Sequence, residues 1–345
     1  FGVPPTSKEH QGNWRSIRGR MESEATADNT DDRERQFELL SDYKISRETG
    51  RVLRFAADIV ESPPDRPDFL HTVLCQVGLP RRATTELKFE RRNGLASLLV
   101  EAGSLYSGQK WLQQPLPYGP KPRLALVHIS TEAVRTKSRV IDSGRSLHDF
   151  MRRLGIGTNG REYKNFRQQM RALSACRMSL GYGNTTIDAK PIEKFSTWNA
   201  LEEEHDLDEG VIELTSKFYD SLVDSAVPLD PRALACLQGS SLALDIYTWL
   251  SHRLHRVSRI SGDRVTWSNL ADQFGQEYSE IKDFKKTFQK ALVQVRAVYP
   301  DARLDEVRGG YILLPSKPPV PPMPSIVVPQ RMALIGGTTH DRSRD

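Results

Sequence analysis

Arg264-Val-Thr-Trp-Ser-Asn-Leu-Ala-Asp-Gln-Phe-Gly-Gln-Glu-Tyr-Ser-Glu-Ile-Lys-Asp-Phe-Lys-Lys-Thr-Phe-Gln-Lys-Ala-Leu-Val-Gln-Val-Arg296 is the stretch whose reading decides the fold. Arg264 to Trp267 is short and β-rich. Ser268 is then placed to cap a helix that turns Leu270, Ala271 and Phe274 to one side, and Gly275 to end it in a left-handed turn. After a polar turn, Ile281, Phe284, Phe288, Leu292 and Val295 recur every three or four residues, the period of a helix with one buried face. Its other face carries Lys282, Lys285, Lys286, Gln289, Lys290 and Arg296.

Upstream, Leu242, Ile246, Trp249, Leu250, Leu254 and Val257 have the spacing of one helical face, which predicts a helix over about 240–257. Downstream, Pro300 stops the basic helix. Residues 302–307 and 311–314 then read as two strands around Arg308-Gly309-Gly310. Helix, strand, helix, helix, hairpin is the winged-helix order.

The same order occurs earlier. Leu124 to Val134 is an apolar helix, Arg139-Val-Ile141 a short strand, and Ser146 caps a helix that points Leu147, Phe150, Met151 and Leu154 inward and stops at Gly155. A third helix from about Arg161 buries Tyr163, Phe166, Met170 and Leu173. It presents Lys164, Arg167, Gln168 and Arg171, and strands follow near 177–182 and 185–198. A repeated order supports both copies, because chance would have to produce it twice. The expected fold class is therefore α+β: two tandem winged-helix domains with a flexible N-terminal segment and a Pro-rich C-terminal tail.

The flanks set the boundaries. Residues 1–36 are polar and aperiodic and read as poorly ordered. Short helical pieces follow around Phe37, Leu39, Leu40, Phe55 and Ile59, and Phe69 to Cys75 reads as an apolar helix. Strands around Asn93-Gly94 form a hairpin. The N-terminal domain accordingly spans 37–200, an acidic connector 201–210, the C-terminal winged-helix domain 211–317 and the proline-rich tail 318–345.

Charge is distributed unevenly. The 345 residues carry 49 Lys+Arg against 44 Asp+Glu, a net +5. Within that total, residues 135–196 hold 13 basic against 5 acidic residues, and 201–230 one against 10. A basic lobe and an acidic joint nearly cancel. No run of 18 apolar residues is present to span a membrane. Three separated cysteines (Cys75, Cys176, Cys236) can form neither a disulfide framework nor a cysteine-rich zinc site, which points to a reducing compartment.

A helix about 10–12 Å across fits the major groove of DNA, where Lys and Arg neutralise phosphates, Arg pairs with guanine and Gln with adenine. Third-helix position favours this reading of Lys282 to Arg296 over a merely solvated face. The matching face of the first copy serves as a second contact or as a self-association surface. Arg308 at the hairpin tip either approaches the DNA backbone or only closes a turn. No catalytic residue, metal site or cofactor is expected. The chain has no P-loop motif, His252 and His255 lack acidic or cysteine partners, and Asp206 and Asp208 sit in an acidic run without a β pattern.

Longer runs carry a resemblance. Phe69-Leu-His-Thr-Val-Leu-Cys-Gln-Val-Gly-Leu-Pro-Arg-Arg82, Leu116-Pro-Tyr-Gly-Pro-Lys-Pro-Arg-Leu124, Thr131-Glu-Ala-Val-Arg-Thr-Lys-Ser-Arg139, Ser146-Leu-His-Asp-Phe-Met-Arg-Arg-Leu-Gly155 and Gly210-Val-Ile-Glu-Leu-Thr-Ser-Lys-Phe-Tyr219 resemble plasmid-encoded replication initiators of the RepA type, over about residues 65–315. The resemblance implies a protein of the bacterial cytoplasm that binds direct repeats (iterons) in double-stranded origin DNA and helps open adjacent A·T-rich DNA. It also implies recruitment of the host replication initiator and replicative helicase, a homodimer, and repression of its own gene in plasmid copy control. By position, Lys282 to Arg296 is the main reading helix and Lys164 to Arg171 the secondary contact. Two alternatives stay open: a winged-helix transcriptional repressor without initiator activity, and a primase-like enzyme using Asp206 and Asp208.

Overall fold

The computed structural model describes residues 47–195 and 210–321. The first 46 residues, the connector that contains Asp206 and Asp208, and the chain beyond Pro321 lie outside the described residues. In chain order the elements begin with α1 (Arg47–Glu61), β1 (Asp68–His71) and α2 (Thr72–Gln76). A hairpin of β2 (Lys88–Asn93) and β3 (Ala96–Glu101) turns at Gly94, whose φ of +56° is the left-handed value expected of Asn-Gly. A small ribbon follows, β4 (Ser104–Tyr106) and β5 (Trp111–Gln113).

The first repeat of the predicted order comprises α3 (Pro120–Thr136), β6 (Val140–Gly144), α4 (Leu147–Arg153), α5 (Gly160–Ala175), β7 (Arg177–Tyr182) and β8 (Thr185–Ala189), with β9 (Ile192–Phe195) beyond it. Next come β10 (Gly210–Leu214), α6 (Ser216–Ser225), β11 (Ala226–Leu229) and α7 (Pro231–Leu237). The second repeat is α8 (Ser241–Arg253), β12 (Asp263–Thr266), α9 (Trp267–Phe274), α10 (Ile281–Val298), β13 (Leu304–Val307) and β14 (Gly310–Leu313). The architecture is α+β, and both repeats keep the predicted element order.

Strand pairing separates them. In the second repeat β12, β14 and β13 form a local antiparallel sheet in that order, with Thr266 opposite Gly310 and Val307 opposite Gly310. In the first repeat β6 does not meet the β7–β8 hairpin. It pairs instead with β10, which also pairs with β9. The hairpin extends the upstream one into a four-stranded sheet ordered β2-β3-β7-β8. A strand beyond the acidic connector thus completes a sheet begun before it.

Four local expectations need correction. Phe69 to His71 are strand, paired with β11, and only from Thr72 does the chain turn helical; the His71 ring accepts from Val73 N at 3.1 Å and caps that short helix. Thr266, not Ser268, caps α9 in a reciprocal box with Asn269, because the helix starts two residues earlier than the polar pattern suggests. Gly275 does end α9, but at φ −103° rather than in a left-handed turn. Glycine is needed there because a Cβ would lie 2.6 Å from the Ala271 carbonyl. Finally, α8 is not amphipathic: every residue from Leu242 to His252 is buried. It lies at the centre of the molecule against α2, α3, β11 and α10. Ser146 caps α4 as expected, accepting from Asp149 N, and Gly155 follows at φ +65°.

One buried ion pair joins the first helices of the two repeats. Arg123 on α3 donates to Asp245 on α8 from Nε (2.6 Å) and Nη2 (2.9 Å), and its other N–H groups go to the carbonyls of Leu79, Pro80 and Gly119. All five guanidinium donors are used, which is the condition under which a buried pair is tolerated. Gly78 lies so close that a Cβ would sit 2.5 Å from the Asp245 carboxylate.

Candidate nucleic-acid interface

Aromatic packing sets the tilt of α10. Trp267, the first residue of α9, meets Phe284, Phe288 and Tyr311 edge to face at 5.4–6.4 Å, and Phe274 packs on Phe288 at 5.8 Å. With Phe284, Phe288, Leu292 and Val295 turned into this core, the remaining face of α10 must point to solvent. Lys282, Lys286, Gln289 and Lys290 are exposed along it, at the helical repeat of 3.6 residues. The three lysines have no carboxylate partner among the described residues.

Other predicted residues are committed to the fold. Lys285 is half-buried with its Nζ 5.4 Å from the Trp267 ring centre, a cation–π contact that fastens it to the helix base. Gln289 donates to Glu306 on β13 at 3.0 Å, and Arg296 donates to the Leu304 carbonyl, so these two tie α10 to the hairpin. Arg308 is exposed at the hairpin tip, beside Gly309 at φ +94°. Trp267 N donates to the Gly309 carbonyl at 2.9 Å and holds the tip against the start of α9.

Two residues on this surface escape sequence reasoning. Val293 is 69% exposed in the middle of the cationic face, one turn beyond Gln289. An aliphatic group there suits the methyl of thymine. The signal in the sequence is a valine on the polar side of the period. Arg264 on β12 is also exposed and donates to the Arg308 carbonyl at 2.7 Å, so a second guanidinium joins the tip. Only the sheet register reveals it.

The first repeat presents a different surface. On α5, Lys164 and Gln168 are exposed, but Arg167 and Arg171 are half-buried. Burial, and then the neighbouring Arg167, lower the affinity of Arg171 for its proton. Asn159 caps α5 by accepting from Glu162 N, and Lys121 of α3 reaches Glu162 at 2.6 Å. The β7–β8 hairpin, which would be the wing of this copy, is paired into the four-stranded sheet and is not free to flank α5.

His71 and His252 both line a cleft of about 820 Å³, with Lys217, Ser221 and Arg256. Burial lowers both rings to about 4, so they are neutral at pH 7. His71 is bonded to Ser221 at 2.8 Å, and no group of metal-ligating side chains occurs among the described residues. No described helix is long and apolar enough to cross a membrane.

Residues 116–271 match the family model described as plasmid encoded RepA protein, in agreement with the RepA-type resemblance seen in the sequence. The match covers the first repeat, β10 to α8, and the start of the second through Ala271. No curated protein matches the chain. Among solved structures the chain is similar to RctB domains 2-3, at 13% identity and a TM-score of 0.44, covering 70% of this chain and 94% of that one. It is likewise similar to a selenomethionine derivative of domain 2 and domain 3 of RctB, at 12% identity and a TM-score of 0.46, covering 71% and 99%.

Proposed function

We propose that this chain, RepA-like over residues 116–271, is a plasmid replication initiator whose two repeats are tandem winged helices. The second repeat reads duplex DNA: α10 enters the major groove, Lys282, Lys286 and Lys290 neutralise phosphates, Val293 faces base edges, Gln289 joins it by exchanging Glu306 for a base, and Arg308 and Arg264 follow the backbone beside the hairpin. The first repeat supplies a weaker phosphate contact or the surface for a homodimer. The protein binds direct repeats at an origin, promotes opening of adjacent A·T-rich DNA and recruits the host replication initiator and helicase.

The observation that carries this reading is the division of labour on α10. Its aromatic side is locked by Trp267, Phe274 and Tyr311, while its opposite side holds three lysines, without carboxylate partners among the described residues, around Gln289 and Val293. Binding to a duplex carrying the origin repeats, followed by fluorescence anisotropy, tests it. Replacing Lys282, Lys286 and Lys290 with Ala should weaken binding more than tenfold and lower the salt slope by about 0.9 for each phosphate that is no longer neutralised. Unchanged affinity and slope would refute the assignment of α10. A transcriptional repressor would share this interface but not open DNA. Protein-dependent permanganate reactivity of the A·T-rich stretch on a supercoiled origin plasmid separates the two.

A further inference from the structure

The ribbon β4–β5 leaves its most apolar side chains in water. Tyr106 and Trp111 are register partners on its outer face, with ring centres 5.4 Å apart and planes inclined at 52°. They are 55% and 70% exposed, whereas Leu105 and Leu112 on the inner face are half-buried. The two strands pair only with each other. A two-stranded ribbon is marginal by itself, so this one must be braced by its surroundings.

The bracing is visible at both ends. At the tip, Ser107 N donates to the Lys110 carbonyl (2.9 Å), Tyr106 Oη to the Gly108 carbonyl (3.0 Å), and Gly108 adopts φ +85°. At the base, Gln114 N and Gln113 Nε2 both donate to the Gly103 carbonyl, and Gly103 abuts the Ala175 carbonyl at the end of α5 with no room for a Cβ. Packing of β4 on α5 sets the ribbon beside the last turns of that helix, where Arg171 stands one turn above Ala175. The result is a stiff projection with an aromatic outer face.

Its chemistry is selective. From Ala102 to Thr131 the chain has no carboxylate, although it has 44 in all. The ribbon itself offers Lys110 at its tip and the amide of Gln109. A face with two accessible rings, a lysine, an amide and no carboxylate of its own suits the π-faces and phosphates of unpaired nucleotides.

We propose that the Tyr106–Trp111 ribbon binds single-stranded DNA by stacking on unpaired bases. The inference rests on the initiator reading, since opened origin DNA is the source of such a strand, but it assigns the contact to a surface separate from the duplex-reading face of α10.

The test uses the full chain with two probes, a fluorescent 20-nucleotide oligo(dT) and the origin-repeat duplex. The double variant Tyr106→Ala/Trp111→Ala should lose at least tenfold in oligo(dT) affinity while duplex affinity changes by less than twofold. Trp111→Phe, which keeps a stacking ring, should recover most of the loss. A second measurement uses the unaltered protein: 5-iodouracil substituted into the oligonucleotide should photocrosslink to the peptide containing residues 104–114. Crosslinks only elsewhere, or unchanged oligo(dT) binding by the double variant, overturn the proposal and leave duplex reading by α10 standing. Equal losses on both probes overturn it too, because the ribbon would then be bracing the fold. Loss of duplex binding in the α10 lysine variant is scored independently, so the failure of one assignment is not mistaken for that of the other.

Discussion

The two repeats follow one order of elements and reach opposite solutions to closing a sheet. In the second, β12 to β14 lie within about 50 residues of chain and hydrogen-bond among themselves, so α10 and its hairpin are placed by local packing. In the first, β6 waits for β10, across the α4–α5 pair and the connector, and the hairpin is taken up by β2 and β3. A repeat whose strands are lent to neighbours has no free wing. Element order thus identifies a module, while strand pairing decides whether its third helix keeps a free hairpin beside it.

The largest effect should come from cutting the long-range pairing. A chain ended at residue 195 lacks β10, which leaves β6 and β9 without a central strand, and also lacks α8, which covers α2 and α3. We expect no cooperative unfolding transition by circular dichroism; a fragment that melts cooperatively would show the first repeat to be self-sufficient after all. Next, Asp245→Ala leaves Arg123 buried and unpaired at the seam between the repeats and should cost about 3–5 kcal/mol in chemical denaturation. Arg123→Met/Asp245→Leu should recover most of that. If the double change is as harmful as the single one, the pair is more than an electrostatic match.

A smaller effect is read by pH. His71 and His252 fall to about 4 through burial, and Asp68 rises to about 6 because burial outweighs the attraction of Arg135. A histidine lowered from 6.5 contributes stability that is present above pH 6.5 and lost as pH falls toward 4. The raised carboxyl acts in the opposite sense, its penalty being relieved as pH falls from 6 to 3.8. These three groups give a net loss on the order of 3 kcal/mol between pH 6.5 and 4, and His128 and His255, lowered chiefly by burial as well, add to it. His71→Gln with His252→Gln should flatten that slope, and an unchanged slope would mean that other groups set it.

The smallest change sharpens the contrast at the helix caps. Thr266→Ala removes the box that starts α9 and should cost about 1 kcal/mol. Its effect on duplex binding should exceed that of Ser146→Ala at the matching position, because only α9 leads into α10, the helix proposed to read DNA. Equal effects on binding would argue that both repeats read DNA alike.

Much of this was legible beforehand. The buried sides of α5 and α10 follow from Phe166, Met170 and Leu173 and from Phe284, Phe288 and Leu292, since a 3.6-residue period needs no tertiary knowledge. Lys282, Lys286 and Lys290 are exposed because they alternate with those residues. Less was legible where a side chain has two partners to choose from. Gln289 and Arg296 lie on the polar side yet turn to Glu306 and the Leu304 carbonyl, and Lys285 settles on Trp267. Asp245 sits in a buried helix and meets Arg123, 122 residues away, which no local pattern announces.

By itself the sequence determined the order of helices and strands in the two repeats, the cationic side of α10 and the RepA-type resemblance of residues 116–271. These depend on periodicity and composition within a few turns of chain. Tertiary structure alone decided that β6 closes with β10, that α8 is buried on every side, and that Tyr106 and Trp111 share one exposed face. Backbone hydrogen bonds between strands are alike whatever the side chains. The partner of a strand is therefore chosen by the packing of the whole core rather than by the strand's own residues.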